Sequence, residues 1–490
     1  MKEKQRWFSV TLALVLVLSS LAPLQSVESK TEGDGKSRAE SAKESPSQFI
    51  AEPVVMSEDK YQKLKAAGTL SPSDWTKADS SSDKGKPLTQ KEANAQLKAA
   101  DDSYGDTSKV PLQKGNKEVS AAAPVPPTSW GDTPSRDGMN CLEQDAAEQD
   151  GGHTLSRWTW CHKTRIGFNY YDIVNGRQIY KGTTSLAAQL VAIGNGTQRG
   201  MRTYFRAEEG SVSYDGWSVW DRLFTAPNLH MYVLSDCAQA PDSCQATRSG
   251  VEHTWDQWDS MDSWLYWDIF SHEEASAKRD KVLYHDWYVR YGGGENDRYK
   301  GPEARTDSWQ IRCDSANYFS QFGRDYPEAC VNYNVVPHLT YHISDDRVEG
   351  VARHIRVAQN NPSRTYPIEL DGTKDIPGKY TGTRDGRGLT RTPSGSVVDR
   401  ANEDMKDRAC KRKEPYTGWR GLPPYDTSTH DCDEYPFSTT NEGASSQDWD
   451  FSVRAVPKSE NTAAGALLRW YYFRDRILYD QDEFWVNIAD

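Results

Sequence analysis

Between about residue 131 and residue 291, apolar and polar side chains alternate with a period of two. Ile166, Phe168 and Tyr170 form one such set, Leu229, Met231 and Val233 a second, and Val282, Tyr284 and Tyr288 a third. A period of two puts one set of side chains on one face of a strand. Turn-forming Asn175-Gly176 and Asn195-Gly196 separate the runs. The spacing predicts an all-β, sandwich-like antiparallel domain over residues 131–300, with Gly292-Gly293-Gly294 near its boundary. Further along the period changes. Val331 to Ile343 reads as a strand and Ser344-Asp345-Asp346 as a helix start. Val348, Val351, Ile355 and Ala358 then recur at helical spacing as far as about Gln359. A Gly-, Pro-, Arg- and Lys-rich stretch from Pro362 to Tyr425 reads as a long loop. A strand leads into Asp433-Glu434, a second covers Phe451 to Val456, and a helix opens with Ser459 as N-cap. A last strand spans Phe484 to Ile488. Residues 301–490 are therefore expected to be an α+β domain.

The N-terminal third has a different texture. Lys2, Lys4 and Arg6 precede a mostly apolar run from Ser9 to Leu18, the pattern of an export signal and too short for a secure membrane span. Residues 1–29 are read as a signal peptide. Residues 30–130 are rich in Ser, Lys, Ala, Asp, Glu and Pro, a composition that predicts a disordered linker. One helix signal interrupts it: Ser57 as N-cap, Glu58 to Ala67 as body and Gly68 as stop.

Eight cysteines in an exported chain point to disulfides, and no Cys-x-x-Cys spacing supports zinc. Nearest neighbours would pair Cys141 with Cys161, Cys237 with Cys244, Cys313 with Cys330 and Cys410 with Cys432, one of about 105 connectivities. The formal net charge of −12 opposes long-range attraction to a polyanion, so a nucleic-acid substrate would require a local basic groove and a metal ion. Trp255, Trp258, Trp264 and Trp267 invite a sugar-stacking reading, but core packing is the favoured one.

Chemistry concentrates near the C-terminus. Asp433 and Glu434 precede Pro436, Glu442-Gly443 forms a turn, and Asn461 lies where a helix begins. Phosphodiester hydrolysis needs a base to take a proton from water, a dication to neutralise the phosphate, and a cation or amide to fix it. A hairpin followed by a helix can present all three. Alone, an Asp-Glu pair is an ordinary solvated turn; the ordered set is more specific.

At these residues the chain resembles the NucA/NucB family of secreted bacterial deoxyribonucleases. The resemblance rests on Asp433-Glu434-Tyr435-Pro436, Glu442-Gly443, Val453-Arg454-Ala455-Val456 and Ser459-Glu460-Asn461-Thr462-Ala463-Ala464-Gly465, with His354-Ile355-Arg356 upstream. It implies a secreted, metal-dependent endonuclease that cuts extracellular DNA without sequence preference. It casts Asp433 as general base, Glu434 as its orienting or metal-reaching partner, Glu442 and Asn461 as ligands of Mg²⁺, Mn²⁺ or Ca²⁺, and Arg454 and His354 as phosphate contacts. Cys432 stands where small family members carry Arg; its expected partner is Cys410, with Arg408, Lys411 and Arg412 taking over the lost charge. The rival reading is a cell-surface protein whose β domain binds glycan or wall polymer and whose C-terminal unit is inactive.

Overall fold

The computed structural model describes residues 49–80, 88–99, 104–239, 242–370 and 372–490. The expected signal peptide and residues 30–48 of the expected linker lie outside these residues. The principal strands of the β-rich region are β1 (Phe49–Ser57), β2 (Thr159–Val174), β3 (Arg177–Gly194), β4 (Gly200–Ala207), β5 (His230–Cys237), β6 (Leu265–Ser271), β7 (Leu283–Gly293), β8 (Trp309–Asp314) and β9 (Ala329–Asn332). A nine-stranded antiparallel sheet contains β6, β4, β3, β2 and β1 in that order, and a seven-stranded sheet contains β5, β7, β8 and β9. Phe168, Leu186 and Trp267 of the first sheet share one core with Met231, Trp287 and Ile311 of the second. The alternating residues read from the sequence thus supply the facing layers of a sandwich. Trp255, Trp258 and Trp267 are buried in that core and offer no face to a sugar.

Two domain expectations need correction. Disorder over residues 30–130 fails for the described part. β1 pairs along its whole length with β2, from Phe49 opposite Asp172 to Ser57 opposite Thr164. It runs into helix α1 (Glu58–Ala66), whose N-cap position is Ser57. Residues 104–128 wrap the C-terminal region: Val110, Val119 and Ala123 are buried in its core, and Trp470 donates to the Pro124 carbonyl at 3.0 Å. A composition averaged over 100 residues hides such short apolar stretches, which gain from surfaces supplied elsewhere in the chain.

The boundary near residue 300 also moves. Gly292 and Gly293 lie inside β7, and a Cβ at Gly292 would sit 2.4 Å from the Tyr232 ring. The triglycine therefore serves close strand packing rather than a linker. The expected strand Val331–Ile343 is split between β9 of the sandwich and the first strand of the next region. That region comprises β10 (His338–His342), α2 (Glu349–Asn360), α3 (Val397–Cys410), β11 (His430–Tyr435), β12 (Ser452–Pro457), α4 (Lys458–Arg474) and β13 (Glu483–Ala489). β10 and β13 pair in parallel, and β11 and β12 form an antiparallel hairpin. Val348, Val351, Ile355 and Ala358 are buried as the period predicts, although α2 begins five residues after Ser344.

Buried charges join the two regions. Asp482 accepts from Arg157 at 3.2 Å and from Arg312 of β8, while Arg476 pairs with Asp314 of β8 at 2.7 Å. Tyr104 donates to Asp475 at 2.6 Å. The described residues from Phe49 to Asp490 cluster as one compact unit, not as separable β and α+β halves.

Candidate active site

The β11–β12 hairpin sets Asp433 opposite Arg454 and Tyr435 opposite Ser452. α4 follows β12 directly, which brings Asn461 in its opening turn back toward Asp433 and Glu434. Pro457 rather than Ser459 occupies the N-cap position, and the Glu460 carboxylate accepts from the Gly350 N–H, tying the starts of α4 and α2. Asp433, Glu434 and Asn461 line one cleft of about 380 Å³, together with Lys406 of α3, Arg391 and Arg469.

Asp433 is held from behind. His354 of α2 is 1% exposed, and its Nδ1 lies 2.6 Å from Asp433 Oδ2. The other ring nitrogen, Nε2, lies 2.8 Å from the hydroxyl of buried Ser452. Asp433 Oδ1 makes no hydrogen bond to the described residues. Position 354 faces the core beside Ile355 and Ala358, and its buried ring borders the separate cavity that Arg454 also lines rather than the cleft of Asp433, Glu434 and Asn461. It fixes the orientation of the carboxylate that does line the cleft.

Glu434 is half-buried next to Lys406. Loss of hydration pushes its carboxyl up to about 8; Lys406 opposes the rise, and Asp433 and Glu403 add to it. Lys406 itself loses hydration, yet Glu434 and Glu403 keep its ammonium above the ordinary lysine range. The Cys410–Cys432 disulfide explains this placement. Lys406 and Cys410 are four residues apart on α3 and share a face. The bridge ties that face to the residue before Asp433. All four nearest-neighbour cysteine pairs are formed.

α3 lies inside the stretch expected to be a loop. Ser396 caps it by accepting from the Asp399 N–H at 3.1 Å. Asp404–Arg408 and Asp407–Lys411 pair one turn apart, and Arg412 donates to the Leu422 carbonyl at 2.8 Å. These three cations, expected to take over the charge of the Arg that Cys432 replaces, instead hold α3 and its flank together. Lys406, Arg391 and Arg469 are the cleft cations that sequence reasoning missed. Ser396-Val397-Val398-Asp399, followed by opposite charges at helical spacing, is the signal that would have revealed α3 and with it Lys406.

Two other expected site residues stand elsewhere. Both Glu442 oxygens are taken by Thr390, whose N–H and hydroxyl each donate at 2.7 Å. Glu442 does not line the cleft, and burial raises its carboxyl against the opposing Thr390 bonds. Its neighbour Gly443 gives way to Asn402: a Cβ there would sit 2.4 Å from Asn402 Nδ2. Asn402 in turn donates to the carbonyls of Ser438 and Thr440, each at 2.8 Å, and accepts from Ser445. The Glu-Gly turn is thus a structural clamp on the loop after Glu434. Arg454 is exposed and lines a different cavity, with Tyr366, Pro424 and Tyr425.

The cleft offers oxygen donors to a hard cation. Among the described residues no group of three or more His, Cys, Asp or Glu side chains is placed to hold a metal. Glu434 and the Asn461 amide, which makes no hydrogen bond to the described residues, are the donors that fit an ion retaining most of its water. A comparison with curated proteins and with solved structures finds no match. The C-terminal region does match a family, and the match takes in α3, the hairpin and α4 while leaving out α2 with His354. Residues 382–487 of this chain match the family Deoxyribonuclease NucA/NucB.

Proposed function

We propose that the chain is a secreted, metal-dependent endonuclease that hydrolyses DNA phosphodiester bonds without sequence preference. The observation that carries this reading is the 2.6 Å bond by which buried His354 holds Asp433, whose carboxylate lines the same cleft as Glu434 and Asn461. Asp433 Oδ1 takes a proton from the attacking water. His354 keeps the carboxylate in the plane that this transfer needs, and Ser452 sets the ring. Glu434 and Asn461 would hold a dication, with Mg²⁺ or Mn²⁺ fitting so small a protein donor set better than Ca²⁺. When bound, that ion neutralises charge on the phosphate and the leaving oxygen. Lys406, Arg391 and Arg469 supply the local positive lining that a chain of net charge −12 requires to accept a polyanion. Contacts of that kind address phosphate and carry no base identity, which supports cleavage without sequence preference. Four disulfides suit work in an oxidising exterior.

The test is nicking of supercoiled plasmid by the full oxidised chain. Activity is expected with Mg²⁺ or Mn²⁺, to stop on addition of chelator, and to return when excess metal is restored. Undiminished nicking in chelator would overturn metal dependence.

A further inference from the structure

The short helix Val219–Phe224 has the sequence Val-Trp-Asp-Arg-Leu-Phe. Four of its six residues are large and apolar, and all four face solvent: Trp220 is 73% exposed and Phe224 65%. Their rings stack on each other at 5.8 Å. Six-residue helices are held by what they pack against, and here the helix is held at its polar side. Ser218 caps it through the Asp221 N–H at 3.1 Å, and Asp221 pairs with Lys181 of β3 at 3.3 Å.

That ion pair places the helix beside the tip of the β2–β3 hairpin. Val174 stands opposite Arg177 and Asp172 opposite Ile179. Residues two apart on one strand, and residues opposite each other on paired strands, share a face. Val174 and Ile179 therefore share the face of Asp172, whose carboxylate lies 3.8 Å from the same Lys181 ammonium that pairs with Asp221, and both are exposed. Six exposed apolar residues, Val219, Trp220, Leu223, Phe224, Val174 and Ile179, thus stand on the two elements that this ion pair joins and make up an apolar prow. Exposed apolar surface of this kind marks an interaction site.

The charges around it indicate what it meets. Nearby carboxylates are engaged: Asp221 and Asp172 by Lys181, and Asp215 by Tyr61, Ser213 and Lys65. The exposed cations at the rim, Arg177 and Arg222, have no carboxylate at ion-pair distance among the described residues. Aromatic and branched side chains at a tip, flanked by free arginines, are the composition of an interfacial anchor for an anionic bilayer. A protein interface would instead bring acidic groups to these arginines. We infer that the prow formed by Val219–Phe224 and the Val174–Ile179 hairpin tip docks the protein on anionic phospholipid membranes.

The experiment is co-sedimentation of the full oxidised chain with vesicles of phosphatidylcholine containing phosphatidylglycerol, and with phosphatidylcholine alone. The wild type is expected to pellet with the anionic vesicles in preference to the neutral ones. Trp220→Ser/Phe224→Ser should weaken binding by more than about tenfold, and Arg177→Glu/Arg222→Glu should abolish the preference for anionic lipid. Both variants change exposed side chains and should keep the wild-type melting temperature and plasmid nicking. Three results would overturn the inference. The wild type fails to pellet, the aromatic variant pellets like wild type, or sedimentation velocity shows a dimer that the aromatic variant dissolves, which would make the prow a contact between copies.

Discussion

Replacing His354 tests how the site is built. The ring is buried and bridges Asp433 Oδ2 at 2.6 Å and Ser452 Oγ at 2.8 Å. His354→Ala removes a hydrogen bond to an ionised group, leaves the buried Ser452 hydroxyl unpartnered and opens a cavity, a stability cost of about 2–4 kcal/mol. The catalytic effect follows from geometry. Asp433 loses its only side-chain anchor among the described residues, and misplacement of a reacting group by about 1 Å costs about a hundredfold in rate. The predicted signature is a kcat near a hundredth of wild type with KM little changed, measured below the melting temperature of the variant. His354→Asn separates orientation from bulk: its amide N–H reproduces the Nδ1 position and should restore much of the rate. If His354→Ala instead raised KM and left kcat intact, His354 would be a phosphate contact and the orienting account would be wrong. Wild-type kinetics in a folded His354→Ala protein would remove His354 from the site altogether.

Other outcomes follow from the same contacts. Glu442→Gln should lower the melting temperature by loosening the tie to Thr390 while leaving metal affinity unchanged; a loss of metal binding by isothermal titration would restore Glu442 as a ligand. Asp482→Ala leaves Arg157 and Arg312 buried without their shared carboxylate, a cost of about 3–5 kcal/mol. It should therefore destabilise sandwich and C-terminal region together, in one thermal transition; two separated transitions would contradict their description as one unit. In metal-free protein, Glu434 keeps its proton up to about pH 8, well above the ordinary carboxylate value of 4.5, so its contribution to stability falls as pH rises between those values. Glu434→Gln should accordingly become progressively more stabilising from pH 5 to pH 8 in denaturant melts, and a flat difference would refute the burial of that charge.

The hairpin-helix core of the site was legible because its signals are local. Asp433-Glu434 before Pro436, the β-prone run to Val456 and the small residues after Asn461 all fall within about one turn or strand of the elements they shape. Alternation around Ile166 and Met231 revealed the sandwich for the same reason. What escaped the sequence depends on partners far along the chain. Glu442 looks like a ligand until Thr390, 52 residues earlier, is seen to take both oxygens. His354 lies 79 residues before Asp433, and its core-facing position only becomes evident when α2 packs behind the hairpin. Phe49–Ser57 sits in a polar stretch and orders because β2 presents an edge to it. Arg408 and Lys411 were expected to replace the charge lost at Cys432 because the acidic residues one turn before them were read as loop.

The central claim is that Asp433 is the base of a metal-assisted phosphodiester hydrolysis. Its most direct measurement is the single-turnover nicking rate of supercoiled plasmid with Mg²⁺ for the oxidised wild type and for Asp433→Ala, each shown to be folded by its melting profile. The account predicts that the variant binds metal and DNA yet nicks at least about a thousandfold more slowly, the scale lost with a positioned general base. A folded Asp433→Ala protein that nicks at the wild-type rate would contradict it.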